Sequence, residues 1–510
     1  MAGDKKLNPD ELRQFIQNKY GPGVQVDVFP KAQQDQTDEE GETAEKRDKA
    51  LAFDYRPSQI VEYLDRYVIE QQDAKKVLAT AVCDHYHHIQ DCGEEDDCRD
   101  YKKQNIVLIG PTGVGKTYLI QNIARLIGVP FVKADATKFS ETGYVGGDVE
   151  DLIRELVHQA EGDIQLAECG IVYLDEVDKI ATSTTSMGRD VSGHGVQRGL
   201  LKLMEETEVP LRSPTDMASQ MQAFMEFQSK GKVEKKPIST KHILFIASGA
   251  FTGLTEIIKK RLGSKQIGFT GSGGSTDEEH FWVQKAKSVD FIDYGFEAEF
   301  IGRLSVVAHC NELSVEDLCS ILKFSKGSLL KQYKRDFLAY DVDVYFSDEG
   351  MEAIAKRAGA EQTGARGLMT VCERVFREYK YQLPDHDVKK FIVGREIVED
   401  PEGKLSELLE KPTQYHAKIK QFQVSKVEQV FAEKYGIEVK FTPEASQLIA
   451  EKAEKVGQDL LDYSAVLFKE YEHGLNLLRK SSRQTQFVID EAVVENPAET
   501  VERWIKEAYS

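Results

Sequence analysis

A glycine-rich octapeptide that directly follows a short apolar run constrains the fold more than any other feature of the chain. The run Ile-Val-Leu-Ile at 106–109 predicts a buried strand, and the pattern at 118–127 predicts a helix. Between them lies the pattern G-x-x-x-x-G-K-T. A strand, a glycine-rich loop and a helix in this order form a cradle for nucleotide phosphates. The residues of the loop are Gly110, Pro111, Thr112, Gly113, Val114, Gly115, Lys116 and Thr117.

The individual residues of this loop have predictable roles in binding a nucleoside triphosphate. Gly113 and Gly115 let the backbone turn so that successive N–H groups point at phosphate oxygens. Lys116 is expected to reach the β- and γ-phosphates, and the Thr117 hydroxyl is expected to ligate Mg²⁺. The helix N-terminus at Tyr118 adds partial positive charge. A glycine-rich turn without a ligand is the alternative, which the strand–loop–helix context disfavours.

A second pattern with catalytic chemistry is an apolar run that ends in two acidic residues. The run Ile-Val-Tyr-Leu at 171–174 predicts a buried parallel strand, and Asp175 and Glu176 follow at the sheet edge where ligands bind. Asp175 is expected to hold Mg²⁺ through its water shell, and Glu176 is expected to polarise the attacking water. Together with the phosphate loop, the pattern predicts hydrolysis of the nucleotide. The alternative is a strand end with two solvated acids.

Charge, hydropathy and cysteine pattern exclude several classes of protein. The net charge of −20 argues against a nucleic-acid-binding body, because a phosphate footprint needs clustered Lys and Arg. No stretch approaches about 18 consecutive apolar residues, and the first residues lack the apolar core of a signal peptide. The seven cysteines are scattered and odd in number, as in a reducing compartment. We therefore predict a cytoplasmic protein with no nucleic-acid and no membrane partner.

A loop between the two motifs combines apolar side chains with flanking glycines. Tyr144 and Val145 lie between Gly143 and Gly146. Such a loop is expected to be mobile and to expose both apolar side chains, which indicates contact with another molecule. A purely structural turn is the alternative.

Taken together, these motifs resemble those of AAA+ ATPases of the ClpX type, with HslU as the near relative. The motifs follow the family's order across roughly residues 57–405. The resemblance implies an α/β fold, in which an AAA+ P-loop NTPase domain (a parallel sheet with flanking helices) is followed by a small α/β domain. The matching segments are 110–117, 134–137, 143–146, 171–180, 190–198, 243–251, 299–304 and 363–368.

The resemblance implies three further residues for the chemistry of the site. Ser248 occupies the position of the sensor that reads the γ-phosphate. Arg303 matches the arginine finger, which is inserted into the ATP site of the neighbouring subunit and stabilises charge in the transition state. Arg366 matches the second sensor, which lies on the small domain. The implied catalytic set is Lys116, Asp175, Glu176, Ser248, Arg303 and Arg366, and the implied metal ligands are Thr117 and Asp175.

The adenine end of the site is also implied by the resemblance. Tyr67, Val68 and Ile69 resemble the strip that contacts the adenine ring. The family's usual glycine after this strip is Glu70 here, so we expect a more polar or less tight turn. The implied nucleotide-binding set is Gly110, Pro111, Thr112, Gly113, Val114, Gly115, Lys116, Thr117, Tyr118, Val68, Ile69 and Arg366.

Two contacts with other proteins follow from the resemblance. Tyr144 and Val145 match the pore loop that grips a threaded polypeptide in the centre of a hexameric ring. Ile267, Gly268 and Phe269 lie in a flexible Gly/Ser stretch and match the tripeptide with which ClpX-type proteins dock on a ClpP-type peptidase. Since three residues are a short signal, a loop without a partner remains the alternative.

The resemblance as a whole implies an enzyme, namely an ATP hydrolase that uses ATP and Mg²⁺. We expect a homohexameric unfoldase and translocase that threads unfolded or tagged proteins through its pore and delivers them to a ClpP-type peptidase. Two alternatives remain open. One is an ATP-driven remodelling chaperone that acts without a protease, and the other is an HslU-like partner of a different peptidase.

The C-terminal part of the chain contains an internal repeat. Segments 340–346, 375–379, 391–393 and 398–401 recur in the same order as 435–441, 467–471, 487–489 and 494–497. This order predicts a duplicated small α/β domain, although helices of similar length can share such patterns by chance. Gln458 falls at the position of Arg366 in the second copy. Because a neutral amide cannot replace an arginine against phosphate charge, the second copy is expected to bind no nucleotide.

We therefore predict four regions along the chain. Residues 1–55 form an N-terminal extension that is largely linker, because the acidic stretch 33–43 cannot bury enough apolar surface. The family's N-terminal zinc domain has no counterpart in this sequence. The other regions are the AAA+ large ATPase domain at 56–320, the AAA+ small (sensor-2) domain at 321–405, and a connector with a degenerate repeat of the small domain at 406–510.

Overall fold

The structure is a computed structural model, and it describes most of the chain from Phe53 onward. The described residues are 53–91, 103–139, 147–181, 191–211, 237–263, 282–435, 438–456, 460–469, 486–496, 499–500, 502–504 and 506. Four sequence predictions lie outside these residues and stay predictions. They concern residues 1–52 of the N-terminal extension, the loop with Tyr144 and Val145, the tripeptide 267–269, and Gln458.

A parallel sheet forms the centre of the first structural unit. The strands of this unit are β1 (Ile106–Ile109), β2 (Phe131–Asp135), β3 (Ile171–Asp175), β4 (Glu208–Pro210), β5 (Pro237–Ser239), β6 (Leu244–Gly249) and β7 (Val306–His309). Five of them pair in parallel in the order β2-β3-β6-β1-β7, while β4 and β5 form an antiparallel pair. The predicted α/β class with a parallel sheet is therefore confirmed. Because parallel strands end at one edge, the segments after β1, β3 and β6 meet there.

Helices flank this sheet and share one hydrophobic core with it. In the helix after β1, Gly115 precedes the first helical residue with φ 95°, and Gly128 ends the helix with φ 86°. Among the described residues, no helix has both the length and the apolarity needed to cross a membrane. The helices are α1 (Pro57–Asp65), α2 (Gln72–Asp91), α3 (Lys116–Ile127), α4 (Asp151–Gln159), α5 (Ile164–Glu168), α6 (Val191–Met204), α7 (Leu254–Gly263), α8 (Ser288–Tyr294) and α9 (Ala298–Arg303).

A second hydrophobic core begins at Leu318 and ends at Tyr415. Its strands are β8 (Asp343–Phe346) and β9 (Lys390–Val393), which pair in parallel. Phe376 lies at its centre, within ring-contact distance of Tyr333 and Phe337. The helices of this unit are α10 (Val315–Phe324), α11 (Leu329–Leu338), α12 (Asp348–Ala360), α13 (Ala365–Gln382), α14 (Arg395–Glu399) and α15 (Pro401–Glu410).

A third, smaller core has the same kind of strand pair. In the second unit Val344 lies opposite Phe391, and in the third Val439 lies opposite Phe487, so equivalent members of the sequence repeat are paired alike. This likeness supports the duplication, which stays a prediction. The elements of this unit are α16 (Pro412–Tyr435), β10 (Glu438–Phe441), α17 (Pro443–Val456), α18 (Leu460–Lys469), β11 (Gln486–Ile489) and α19 (Glu491–Glu495).

Helix α16 joins the second and third units through polar contacts. Gln423 Nε2 donates to Tyr345 Oη at 2.9 Å, and Lys426 Nζ lies 3.1 Å from Asp348 Oδ2. Both Gln423 and the Tyr345 ring are buried, so this junction is ordered and not merely a tether.

Candidate nucleotide-binding site

A cavity of about 1220 Å³ lies where the first and second units meet. The loop after β1, the ends of β3 and β6, and the start of α13 line it. Pockets for small ligands are typically about 300–1,000 Å³ in volume, so a nucleoside triphosphate has room here. The predicted residues in its lining are Val68, Ile69, Thr112, Gly113, Val114, Gly115, Lys116, Thr117, Tyr118, Asp175, Glu176 and Arg366.

Lys116 begins α3 and folds back onto the glycine-rich loop. Its Nζ donates to the carbonyl oxygens of Gly110 at 2.5 Å and Pro111 at 2.8 Å. Burial lowers the pKa of this ammonium group, with a smaller lowering contribution from Arg366. An ammonium group that has lost part of its water, at a helix N-terminus, favours the entry of an anion.

The glycine-rich loop contacts the start of α13 backbone to backbone. Ala365 N donates to Gly113 O at 2.9 Å. Gly113 has φ +80°, and a Cβ there would lie 2.0 Å from Thr363 O. Gly364 has φ +59°, and a Cβ there would lie 2.8 Å from Gly113 C. Only glycine permits this approach at both positions, so the loop that would hold phosphate is in direct contact with the second unit.

Replacing Gly113 with alanine is expected to weaken nucleotide binding by about tenfold or more. The left-handed backbone costs about 1 kcal/mol with a side chain, and the Cβ forces the loop away from Thr363. Affinity for a fluorescent ATP analogue and the free energy of unfolding are the two measurements. Gly128→Ala is the matched control, because Gly128 has φ +86° but nothing lies within 4 Å of its Cβ position. Equal loss of affinity in both variants would refute a role for the contact.

Asp175 lies at the end of β3, beside Thr117 and Ser248. Its Oδ2 is 3.4 Å from Thr117 Oγ1, and its Oδ1 is 2.9 Å from Ser248 Oγ. Burial by itself would raise the pKa of Asp175, but hydrogen bonds from Ser248 and Lys133 outweigh it and hold the pKa below its usual value. The carboxylate is therefore ionised at neutral pH, as a metal ligand must be.

Glu176 lies on the turn that follows Asp175. Its backbone has φ +56°, and its N–H donates to Asp175 Oδ1 at 3.1 Å. The left-handed conformation is unusual for a residue with a side chain and is typical of functional turns. Its exposed side chain lines the cavity.

The site has the donor atoms that Mg²⁺ prefers. The Thr117 hydroxyl and the Asp175 carboxylate lie side by side and supply hard oxygen ligands. Within the described ranges there is no cluster of three or more His, Cys, Asp or Glu side chains suited to a metal. This is compatible with Mg²⁺, which at nucleotide sites takes one or two side-chain oxygens and completes its shell with phosphates and water.

The strip at 67–69 lies at another part of the cavity wall. The backbone carbonyl of Val68 accepts a hydrogen bond from the buried Lys75 Nζ at 2.6 Å, and the carbonyl of Tyr67 accepts one from Ser325 Oγ at 2.8 Å. Glu70 has φ +58°. The turn is therefore in the left-handed region that favours glycine, although Glu70 occupies it.

Arg366 and Arg303 lie in different places. Arg366 is in the first turn of α13 and lines the cavity. Arg303 ends α9 outside the cavity lining, and its Nη2 donates to Glu205 Oε1 at 2.6 Å, with half of its side chain exposed. The structure therefore brings the other predicted catalytic residues together and leaves Arg303 at the surface of the unit.

Four side chains near the site were missed by sequence reasoning. Tyr173 interrupts the apolar run of β3, and its hydroxyl lies 2.6 Å from Ser248 Oγ. Lys133 extends from β2 to Asp175. Arg374 and Arg377 line the cavity along α13. The helical spacing of Arg366, Arg374 and Arg377 is the signal that could have identified this face.

Comparison with known proteins shows which proteins the chain resembles. Residues 101–307 match the family described as AAA domain (Cdc48 subfamily). The chain is 40% identical over 347 residues to the ATP-dependent Clp protease ATP-binding subunit ClpX of Borrelia duttonii (strain Ly). It has the same identity and length of match to the protein of that name from Borrelia recurrentis (strain A1). Each match covers 67% of this chain and 78% of the relative.

Proposed function

The chain belongs to the ClpX-type AAA+ ATPases, and from this premise we propose that it is a protein unfoldase coupled to a peptidase. It binds nucleotide and hydrolyses ATP, as members of the family do. In our proposal six copies form a ring that threads unfolded or tagged proteins through its pore and passes them to a ClpP-type peptidase. The observation that carries the proposal is the cavity between two units, where the phosphate loop contacts α13 through backbone atoms.

Binding of ATP begins at the glycine-rich loop. Phosphate oxygens replace the carbonyl acceptors of Lys116, while the N–H groups at the start of α3 contact the same phosphates. Thr117 and Asp175 would hold Mg²⁺, which would neutralise part of the negative charge of the phosphates. Arg366 contributes a further positive charge from the second unit.

Hydrolysis in this proposal requires two subunits. Glu176 accepts the proton of the attacking water, and Ser248 orients Asp175 by its hydrogen bond. Arg303 of the adjacent subunit leaves its surface ion pair with Glu205 and stabilises charge on the transferred phosphoryl group. The position of Arg303 outside the cavity of its own subunit supports this assignment.

The contact between the two units couples ATP hydrolysis to movement of the second unit. When the γ-phosphate leaves, Arg366 loses an electrostatic partner, and the start of α13 shifts. Because Gly113 and Ala365 are joined by a hydrogen bond, this shift is transmitted directly to the glycine-rich loop. Tyr144 and Val145 would convert the motion into a pull on the polypeptide.

The proposal is tested by degradation of a fluorescent, tagged substrate with ATP and a ClpP-type peptidase. Wild type is compared with a variant that lacks residues 267–269 and with Tyr144→Ala. We expect all three to hydrolyse ATP and only the wild type to degrade the substrate. The deletion variant should still unfold the substrate without the peptidase, whereas Tyr144→Ala should not.

Different failures of this experiment have different meanings. If wild type unfolds the substrate but never supports degradation, the motor serves remodelling without this peptidase. If the deletion variant degrades as fast as wild type, the docking assignment is wrong. Equal loss of ATP hydrolysis and unfolding in Tyr144→Ala would contradict its assignment to the pore.

A further inference from the structure

Lys133 places an ammonium group beside the two side chains proposed to bind magnesium. Its Nζ lies 3.1 Å from Asp175 Oδ2 and donates to Thr117 Oγ1 at 3.3 Å. These two oxygens are themselves 3.4 Å apart. One cation of the protein thus contacts both oxygens at once.

The register of the sheet brings Lys133 to this position. On β2 it lies opposite Tyr173 of β3, and Asp175 follows Tyr173 by two residues on the same strand. Since side chains two positions apart share a face, Lys133 and Asp175 lie on the same side of the sheet. The four-carbon stem of lysine spans the offset between the paired positions.

The contact is also easily released. The Lys133 side chain is 43% exposed, whereas that of Asp175 is 18% exposed. Lys133 can therefore turn into solvent without opening the core, and its ammonium group regains water when it does. An exposed lysine that contacts a largely buried carboxylate is held by charge and not by packing.

We propose that Lys133 is a built-in cation that competes with Mg²⁺ for the oxygens of Thr117 and Asp175 and must be displaced when Mg²⁺ enters. The inference rests on the proposed assignment of Thr117 and Asp175 as magnesium ligands. Mg²⁺ and the Lys133 ammonium group are both positively charged and would be held by the same two side chains, so their repulsion opposes binding of both at once. Lys133 therefore raises the magnesium concentration that nucleotide loading requires.

The same competition acts when nucleotide leaves. Without Mg²⁺, Lys133 neutralises the Asp175 carboxylate, whose charged form burial would otherwise penalise. Its positive charge then opposes rebinding of magnesium. Lys133 is thus a positioning residue that acts through Asp175 and not a group that takes part in the reaction.

Lys133→Met tests the inference, because methionine keeps much of the chain length without the charge. The full-length protein is titrated with Mg²⁺ in the presence of a fluorescent, non-hydrolysable ATP analogue, and the half-saturating magnesium concentration is measured. We expect it to fall roughly two- to fivefold, which corresponds to the strength of an exposed ion pair. Lys138→Met removes the same charge from an exposed position and is expected to leave the value unchanged.

The other outcomes distinguish a failure of the inference about Lys133 from a failure of the proposed magnesium site. Asp175→Asn should raise the magnesium requirement, and if it does not, the magnesium assignment and the inference both fail. If Asp175→Asn behaves as expected but Lys133→Met has the wild-type half-saturating magnesium concentration, only the inference is overturned. A higher half-saturating concentration in Lys133→Met also overturns it, since Lys133 would then assist the binding of magnesium and nucleotide. Thermal unfolding without Mg²⁺ and nucleotide verifies that each variant is folded.

Discussion

Replacement of Glu176 by glutamine is expected to reduce ATP hydrolysis by about 10²–10⁴-fold while ATP binding is retained. The amide has almost the same shape as the carboxylate but cannot accept a proton from water. Glu176 lines the cavity from a left-handed turn after β3, and its side chain is exposed there. The groups proposed to bind phosphate are therefore left unchanged.

Phosphate release and binding of a fluorescent ATP analogue are the two measurements for Glu176→Gln. Lys116→Ala is the contrasting variant, in which binding itself is expected to be lost, because the ammonium group of the loop is removed. Hydrolysis above about one tenth of the wild-type rate in Glu176→Gln would exclude Glu176 as the base, since general-base catalysis contributes more than this.

Replacement of Arg303 by alanine is expected to reduce hydrolysis by about 10³–10⁵-fold, the range for an arginine finger, which is the role proposed for Arg303. The reason is its location. Arg303 pairs with Glu205 at the surface and is not part of the lining of its own cavity, so its charge is available to a neighbouring subunit. Binding of ATP to the variant should stay close to that of wild type. Arg335→Ala, another exposed arginine, is the control and should retain hydrolysis.

Mixing two inactive variants tests whether Arg303 acts between subunits. In a ring with head-to-tail contacts, an Arg303→Ala subunit retains Glu176, and a Glu176→Gln neighbour supplies the missing arginine. At equal mixing, roughly a quarter of the sites combine both intact groups, so about that fraction of wild-type hydrolysis should return. No recovery in rings shown to contain both variants would contradict action between subunits.

Local sequence predicted the parts of the site that lie within single strand–loop units. The apolar run at 106–109 and the octapeptide after it predict β1, the loop and α3, because each feature depends on residues close in the chain. Asp175 and Glu176 were found for the same reason, since a buried strand that ends in acids is a local pattern. The confirmed resemblance to the ClpX-type family added Ser248 and Arg366, whose positions no local pattern assigns.

Only the tertiary structure decided which side chains meet across separate elements. Lys133 looks in the sequence like one polar residue in a strand, yet the pairing of β2 with β3 brings it to Asp175 and Thr117. In the sequence Tyr173 is part of an apolar run, but the order of the strands places its hydroxyl against Ser248 of β6. Gly113 and Gly364 are far apart in the chain and touch only because two units pack together. Periodicity in the sequence determines which face of an element is buried, whereas strand order, register and the docking of units determine what that face contacts.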